Sequence, residues 1–172
     1  MIAQHYPGTK LAITEWNYGG GNNISGGLAA ADALGAFGRE GVDLATLWPM
    51  SGLEPYNQAA VRVYTNYDGH GGRFGDTSVA ATTSSAFSAS VYASVDAALP
   101  SRLVIVAINR RGAATTATIT IAGGDAYARA DVYRLGPSKP ELAAQAALTA
   151  TAPGQFEYAM PATSVSVIVP AP

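Results

Sequence analysis

The chain reads as an α/β segment followed by an all-β segment. Three observations predict this. Roughly the first 75 residues alternate short apolar runs with helical stretches, and the rest alternates apolar and polar residues in short segments between turn signals. The composition is 48% apolar and only 13% charged, which suits a packed core and argues against disorder. The expected division is an α/β unit over residues 1–75 and an antiparallel β-sandwich over residues 76–172.

In the first unit, Pro7-Gly8 punctuates the entry to an apolar run, Lys10 to Thr14, which stops at Glu15-Trp16-Asn17-Tyr18. A glycine and asparagine loop, Gly19 to Asn23, follows. Apolar residues then recur every three or four positions through Ile24, Leu28, Ala31 and Phe37, which is a helix with Asn23 or Ser25 as its cap. Gly41 stands where a left-handed residue would end that helix. Val42 to Trp48 is a second strand-like run closed by Pro49, and a helix is expected from about Gln58 to Tyr67. Strand, helix, strand, helix with short connections is a parallel βαβα unit, and its two strands need further cover.

In the second unit, strands are expected near residues 86–95, 102–109, 115–122, 128–135 and 164–169, with weaker candidates at 78–82, 142–149 and 155–160. Turns fall at Leu99-Pro100-Ser101, Arg111-Gly112, Gly123-Gly124-Asp125, Gly136-Pro137 and Pro153-Gly154. About eight short strands at this spacing predict an antiparallel β-sandwich.

Several functions are excluded or disfavoured at this level. There is no cysteine, which removes disulfides, thiolate catalysis and cysteine-based zinc sites. His5 and His70 show no metal-ligand spacing, and neither a metal nor a cofactor is expected. A net charge of −2 with no basic run disfavours nucleic acid, and no apolar stretch approaches the ~20 residues of a membrane span. Met1 to Lys10 lacks a charged-then-apolar signal pattern.

Glu15 is the most informative residue. It follows a buried-looking strand, and parallel neighbours would bring it to the same rim as Trp48. A carboxylate beside aromatic rings suits sugar hydrolysis: the carboxylate attacks or stabilises an oxocarbenium-like centre while rings stack on pyranose faces. Trp16 and Trp48 supply rings, and Asn17 and Tyr18 supply hydrogen-bonding groups. The competing reading makes Glu15 a solvated or ion-paired surface residue and Trp48 a core residue.

The segments Tyr6 to Gly20, Asn23 to Ala29, Gly35 to Asp43, Asn66 to Gly69, Arg73 to Thr77 and Ser90 to Asp96, in that order, closely resemble glycoside hydrolase family 44. The resemblance covers essentially the whole chain but only the C-terminal portion of the family's catalytic module. It implies the last two βα units of a (β/α)8 barrel followed by the β-sandwich. It also implies a secreted bacterial enzyme, a retaining endo-β-1,4-glucanase acting on cellulose and in some members on xyloglucan or xylan. The Thr14-Glu15-Trp16 motif matches the end of the seventh barrel strand, so Glu15 takes the role of nucleophile and Trp48 that of an aromatic floor. Trp16, Asn17 and Tyr18 join them as substrate-binding candidates.

The resemblance also implies what this chain does not contain. The family's general acid/base lies on barrel strand four, so the isolated chain is expected to be inactive without the N-terminal barrel half, and a start at Met1 fits a shortened reading frame. Leu11, Ile13, Leu44 and Leu47 would then be exposed. Glu54 is a local candidate for the second carboxyl but reads as a loop residue facing solvent, and Glu40 lies at the wrong end of a helix. Asp68 and Asp76 read as turn residues rather than a cation site, His70 as exposed, and Arg110-Arg111 as a solvated hairpin tip. Tyr92, Tyr127, Tyr133 and Tyr158 read as core or interface rather than a sugar-stacking strip. A non-catalytic carbohydrate-binding or structural role is the alternative function.

Overall fold

The structure, a computed structural model, describes residues 2–50, 52–122 and 127–172. A single helical turn, α1 (Ile2–His5), precedes strand β1 (Leu11–Trp16), helix α2 (Ile24–Arg39), strand β2 (Val42–Leu47) and helix α3 (Pro55–Thr65). Strands β3 (Thr77–Val79), β4 (Ala89–Asp96), β5 (Leu99–Asn109), β6 (Thr115–Thr120), β7 (Arg129–Gly136), β8 (Lys139–Ala152), β9 (Gln155–Met160) and β10 (Ser164–Ala171) follow. All eight expected strands of the second unit are present; the turn expected at Gly123-Gly124-Asp125 lies outside the described residues.

Local chemistry explains the helix limits. Asn23 is extended and its side chain accepts from the Ser25 N–H at 3.1 Å, capping α2. Gly41, with φ of 73°, ends it in the left-handed conformation. Helix α3 begins at Pro55, three residues earlier than expected, because proline at the first helical position sacrifices no hydrogen bond.

Strands β1 and β2 form a separate two-stranded parallel sheet. The other eight make one continuous antiparallel sheet in the order β3-β4-β5-β10-β7-β8-β9-β6. This sheet curls. Long β8 pairs with β7 through Thr149 and then with β9 from Ala150, which lays Phe156, Tyr158 and Met160 over the middle of the same sheet. The eight strands expected as a sandwich are thus joined edge to edge by hydrogen bonds.

Two cores result, one on each face of β5 and β10. Val104, Val106, Ile108, Val165 and Val167 pack with α2 and α3, while Leu103, Ile105 and Ile168 pack with β9. Ser164 and Ser166 look like solvent-facing positions in sequence but are buried. Ser166 stays satisfied through a 2.8 Å hydrogen bond between its Oγ and the Tyr158 hydroxyl.

Helix α2 therefore lies between two sheets. On one side Phe37 meets Trp16 of β1 edge-on, with ring centroids 5.4 Å apart. On the other, Gly35 faces the ring of Tyr92 in β4: a Cβ built there would lie 2.3 Å from Tyr92 Cδ2. The Tyr92 hydroxyl donates to Asp32 Oδ1 at 2.7 Å, and Arg110 Nη1 donates to Asp32 Oδ2 at 3.0 Å. Arg110 also donates to the Ser90 hydroxyl and the Ala86 and Ala89 carbonyls. The expectation of a solvated Arg110 is corrected: its partner Asp32 lies 78 residues away, so no local pattern revealed it. Arg111 is exposed, as expected.

Tyr92, Tyr127 and Tyr158 are buried and Tyr133 is partly buried, consistent with core and interface roles. Asp68 accepts from the His70 and Gly72 N–H groups, and Asp76 from the Ala97 N–H, all at 2.8 Å; both act as turn residues, and His70 is exposed. Leu11 and Leu44 are exposed as expected, whereas Ile13 and Leu47 are partly buried because they face α2.

Two predictions follow from the α2–β4 contact. Gly35→Ala gains about 0.5–1 kcal/mol of helix propensity but overpacks the Tyr92 ring at about 1–3 kcal/mol, so denaturant unfolding should show net loss. Gly38→Ala on the same helix meets nothing within 4 Å and should be neutral or stabilising. Burial, then the bond to Asp32, pushes the Tyr92 hydroxyl from 10.0 to about 12. The folded chain keeps this proton where the unfolded chain releases it. Its stabilisation is therefore complete below pH 10, is lost as pH rises towards 12, and should vanish from the pH profile of Tyr92→Phe.

Candidate active site at the ends of the parallel strands

The register of β1 on β2 slips beside Glu15. Ile13 pairs with Ala45 and Trp16 with Leu47, so β1 uses three residues where β2 uses two. An inserted residue turns the side chains that follow it and is a recurrent way to re-aim a functional group. Here Ile13 and Trp16 both reach the α2 side, and Glu15 is left exposed.

Glu15 lines an open recess of roughly 470 Å³ with Trp16, Asn17, Trp48, Pro49 and Met50, and it is the only acidic residue among them. It makes no hydrogen bond or ion pair within the described residues, so no internal contact competes for its carboxylate. Trp48, 58% exposed, stands on the same recess and presents a large apolar ring to solvent. Within the described residues the Trp48 ring belongs to neither hydrophobic core.

The other expected site residues are placed differently. Trp16 is 8% exposed, packed on Phe37 and tilted against Tyr18 at 6.1 Å, and its buried indole N–H has no acceptor among the described residues. It forms the underside of the recess. Tyr18 is exposed but does not line the recess. Asn17 is engaged internally: Nδ2 donates to the Trp48 carbonyl at 2.7 Å and to Glu54 Oε2 at 2.8 Å, and Oδ1 accepts from the Gly19 N–H at 2.7 Å. Together with the Trp48 N–H to Trp16 carbonyl bond of 3.0 Å, this carries the parallel ladder past the strand ends.

Glu54 overturns its expectation. It is 2% exposed rather than facing solvent. Its Oε1 accepts from the Met50 N–H at 2.8 Å, and its Oε2 accepts from Asn17 Nδ2 and, at 2.9 Å, from Asn57 Nδ2. A carboxylate spans its two oxygens across several donors at little cost, and such charge-assisted bonds are strong. These contacts also remove Glu54 as a local second carboxyl for chemistry. Its backbone sits at φ 45°, ψ 60°, a left-handed conformation that costs a non-glycine residue about 1–2 kcal/mol. Gly21 makes the approach possible: a Cβ there would come within 2.6 Å of both Glu54 Cβ and Asn57 Nδ2. Glu40, at the far end of α2, pairs with its neighbour Arg39.

A smaller recess of roughly 260 Å³ lies between the end of α3 and β7–β8, lined by Arg62, Tyr67, Asp68, Tyr133 and Glu141 among others. Its aromatic pair, Tyr67 and Tyr133, has ring centroids 5.2 Å apart in a tilted arrangement. Among the described residues no cluster of three or more His, Asp or Glu is placed to hold a metal ion, and no helix is long and apolar enough to cross a membrane.

No family model matches the chain. Individual proteins match strongly. Endoglucanase A of Paenibacillus lautus is 41% identical over 169 residues, which is 98% of this chain and 24% of that protein. The family 44 endoglucanase Cel44A of Clostridium thermocellum superposes with a TM-score of 0.94 at 40% identity, covering 99% of this chain and 33% of that one. A family 44 xyloglucanase of Paenibacillus polymyxa, solved with xyloglucan, gives 0.94 at 36% identity, covering 99% and 34%. This chain thus spans about a quarter to a third of the length of these relatives. The agreement of sequence and backbone from one end of the chain to the other leads to one conclusion: the chain belongs to glycoside hydrolase family 44 and corresponds to the C-terminal portion of its members.

Proposed function

We propose that this chain carries the nucleophile of a retaining glycoside hydrolase that cleaves β-1,4-glucans, and that Glu15 is that nucleophile. The observation supporting it is the shared recess: an exposed carboxylate with no partner among the described residues, at a parallel-strand end, beside the exposed ring of Trp48. In this reading β1, α2, β2 and α3 are the last two βα units of a (β/α)8 barrel over residues 1–75. The curled sheet of residues 76–172 is its sandwich companion. The N-terminal half of the barrel covers exposed Leu11 and Leu44 and supplies the general acid/base.

The chemistry then runs in two steps. A Glu15 oxygen attacks the anomeric carbon of a glucosyl unit stacked on Trp48, while the second carboxyl, about 5–5.5 Å away, protonates the departing glycosidic oxygen. A glycosyl ester on Glu15 results. The second group, now a carboxylate, takes a proton from the water that displaces Glu15 from the anomeric carbon. Glu15 thus leaves as a carboxylate, the acid is restored and the configuration is retained. Cellulosic glucans are the proposed substrates, with xyloglucan included because a family 44 relative was solved with it. An extracellular setting follows from polymeric substrates of this kind. The chain alone should show no efficient turnover. A purely glucan-holding role is the alternative, favoured by the exposure of Trp48 and Tyr18.

In the full-length enzyme, Glu15→Gln should lower the rate on carboxymethylcellulose by about 10³-fold or more, the scale of losing a covalent nucleophile. Glu15→Ala with added azide should yield a glycosyl azide of inverted configuration. Wild-type rates from Glu15→Gln would remove Glu15 from the mechanism and leave the glucan-holding role.

A further inference from the structure

We infer that Glu54 and Asn17 act as a positioning pair for this reaction, tying the loop after β2 to the loop after β1 and so fixing Trp48 relative to Glu15. This rests on the proposed reading of Glu15. Neither residue is assigned a contact with substrate.

The recess has two walls that belong to different loops. Glu15 and Asn17 come from the end of β1, and Trp48, Pro49 and Met50 from the end of β2. Trp48, Pro49, Met50, Gly52 and Leu53 are all exposed, so apolar packing does little to hold the second wall in place. It is held by hydrogen bonds. Asn17 Nδ2 grips the Trp48 carbonyl at 2.7 Å, and Glu54 Oε1 receives the Met50 N–H at 2.8 Å. The link between these two grips is the Asn17 to Glu54 bond of 2.8 Å. Removing either side chain opens the same bridge.

Features of Glu54 beyond the bridge itself point the same way. A residue that only begins a helix has no need of a buried carboxylate, and a left-handed position is most cheaply filled by glycine. Glu54 is both buried and left-handed. A bare Gly21 accommodates it, and the Gly21 carbonyl accepts from the Tyr56 N–H at 2.9 Å, drawing the β1 loop onto the start of α3. Strain held in place by its surroundings next to a reactive group is a signature of preorganisation.

The test is a double-mutant cycle in the full-length enzyme, with Asn17→Ala, Glu54→Ala and the pair, assayed on a soluble β-glucan. Rates are normalised to the folded fraction measured by circular dichroism. Each single variant should lower kcat by about 10- to 100-fold, the scale of a misplacement near 1 Å, with KM changed less. The double variant should be no slower than the worse single, because both changes cut one link. Losses that multiply, or a single variant with unchanged kcat and only a lower Tm, would overturn the proposal. If Glu54→Ala does not fold, Glu54→Gln keeps the shape but sets an amide N–H against donors, and the cycle is read with it instead. Glu15→Gln, measured in parallel, separates the two readings: its full activity would refute the nucleophile, while the cycle is judged on its own rate ratios.

Discussion

Everything at the recess depends on α2 being held between two sheets. A two-stranded parallel sheet is too small to keep a carboxylate still, since it has no second layer of its own. Helix α2 supplies that layer to β1 and β2 through Phe37 and Trp16, and is itself seated on β4 by the Gly35–Tyr92 contact and the Asp32 bonds. The seat is firm because β5, next to β4, and β10 beyond it are packed on both faces. Order thus passes from the curled sheet through α2 to the strand end that carries Glu15.

Above that foundation a second, polar level of order takes over. Strand pairing ends at Trp16 and Leu47, and the loops beyond it are mostly solvent-exposed. Hydrogen bonds from Asn17 and Glu54 extend the constraint by several more residues, where apolar packing would have closed the recess. If the recess takes a polymer, as proposed, it is better braced by buried polar bonds beneath its rim than by filling the rim itself. Trp16 and Trp48 divide the labour in the same way, one ring buried as support and the other presented to solvent.

Much of this was legible in the sequence. Alternation and turn residues marked the strands of the curled sheet, although Leu99-Pro100-Ser101, expected as a turn, is the start of β5. The run ending at Glu15, together with the run ending at Trp48, placed the two residues that share the recess. What was not legible was set by distant partners. Val165-Ser166-Val167-Ile168 reads as a strand with one wet face, yet β9 covers that face through a curl that no window on β10 encodes. Glu54 reads as an exposed loop residue because its partner Asn17 lies 37 positions earlier, and only Gly21 and Pro55 hinted at a tight approach. Arg110 was missed for the same reason, as its acid sits on α2. Local pattern finds elements and their ends. Bonds between ends of different elements need the fold.

Under the proposed mechanism, the same geometry sets which share of the reaction falls to this segment. Retaining hydrolysis needs two carboxyls that face one anomeric carbon with opposite duties, one unprotonated to attack and one carrying a proton to give. Of the three glutamates in the parallel-strand segment, Glu40 is ion-paired far from the recess and Glu54 has both oxygens occupied beneath it, which leaves Glu15 alone on its surface. On the proposed reading, Glu15 beside an aromatic platform can hold a sugar but lacks a partner to protonate the leaving group. In the proposed mechanism the proton must come across the recess from elsewhere in the barrel. Bracing Trp48 against Glu15 then does more than hold the substrate: it fixes the only half of the reacting geometry that this segment controls, so that the other half can meet it at the right distance.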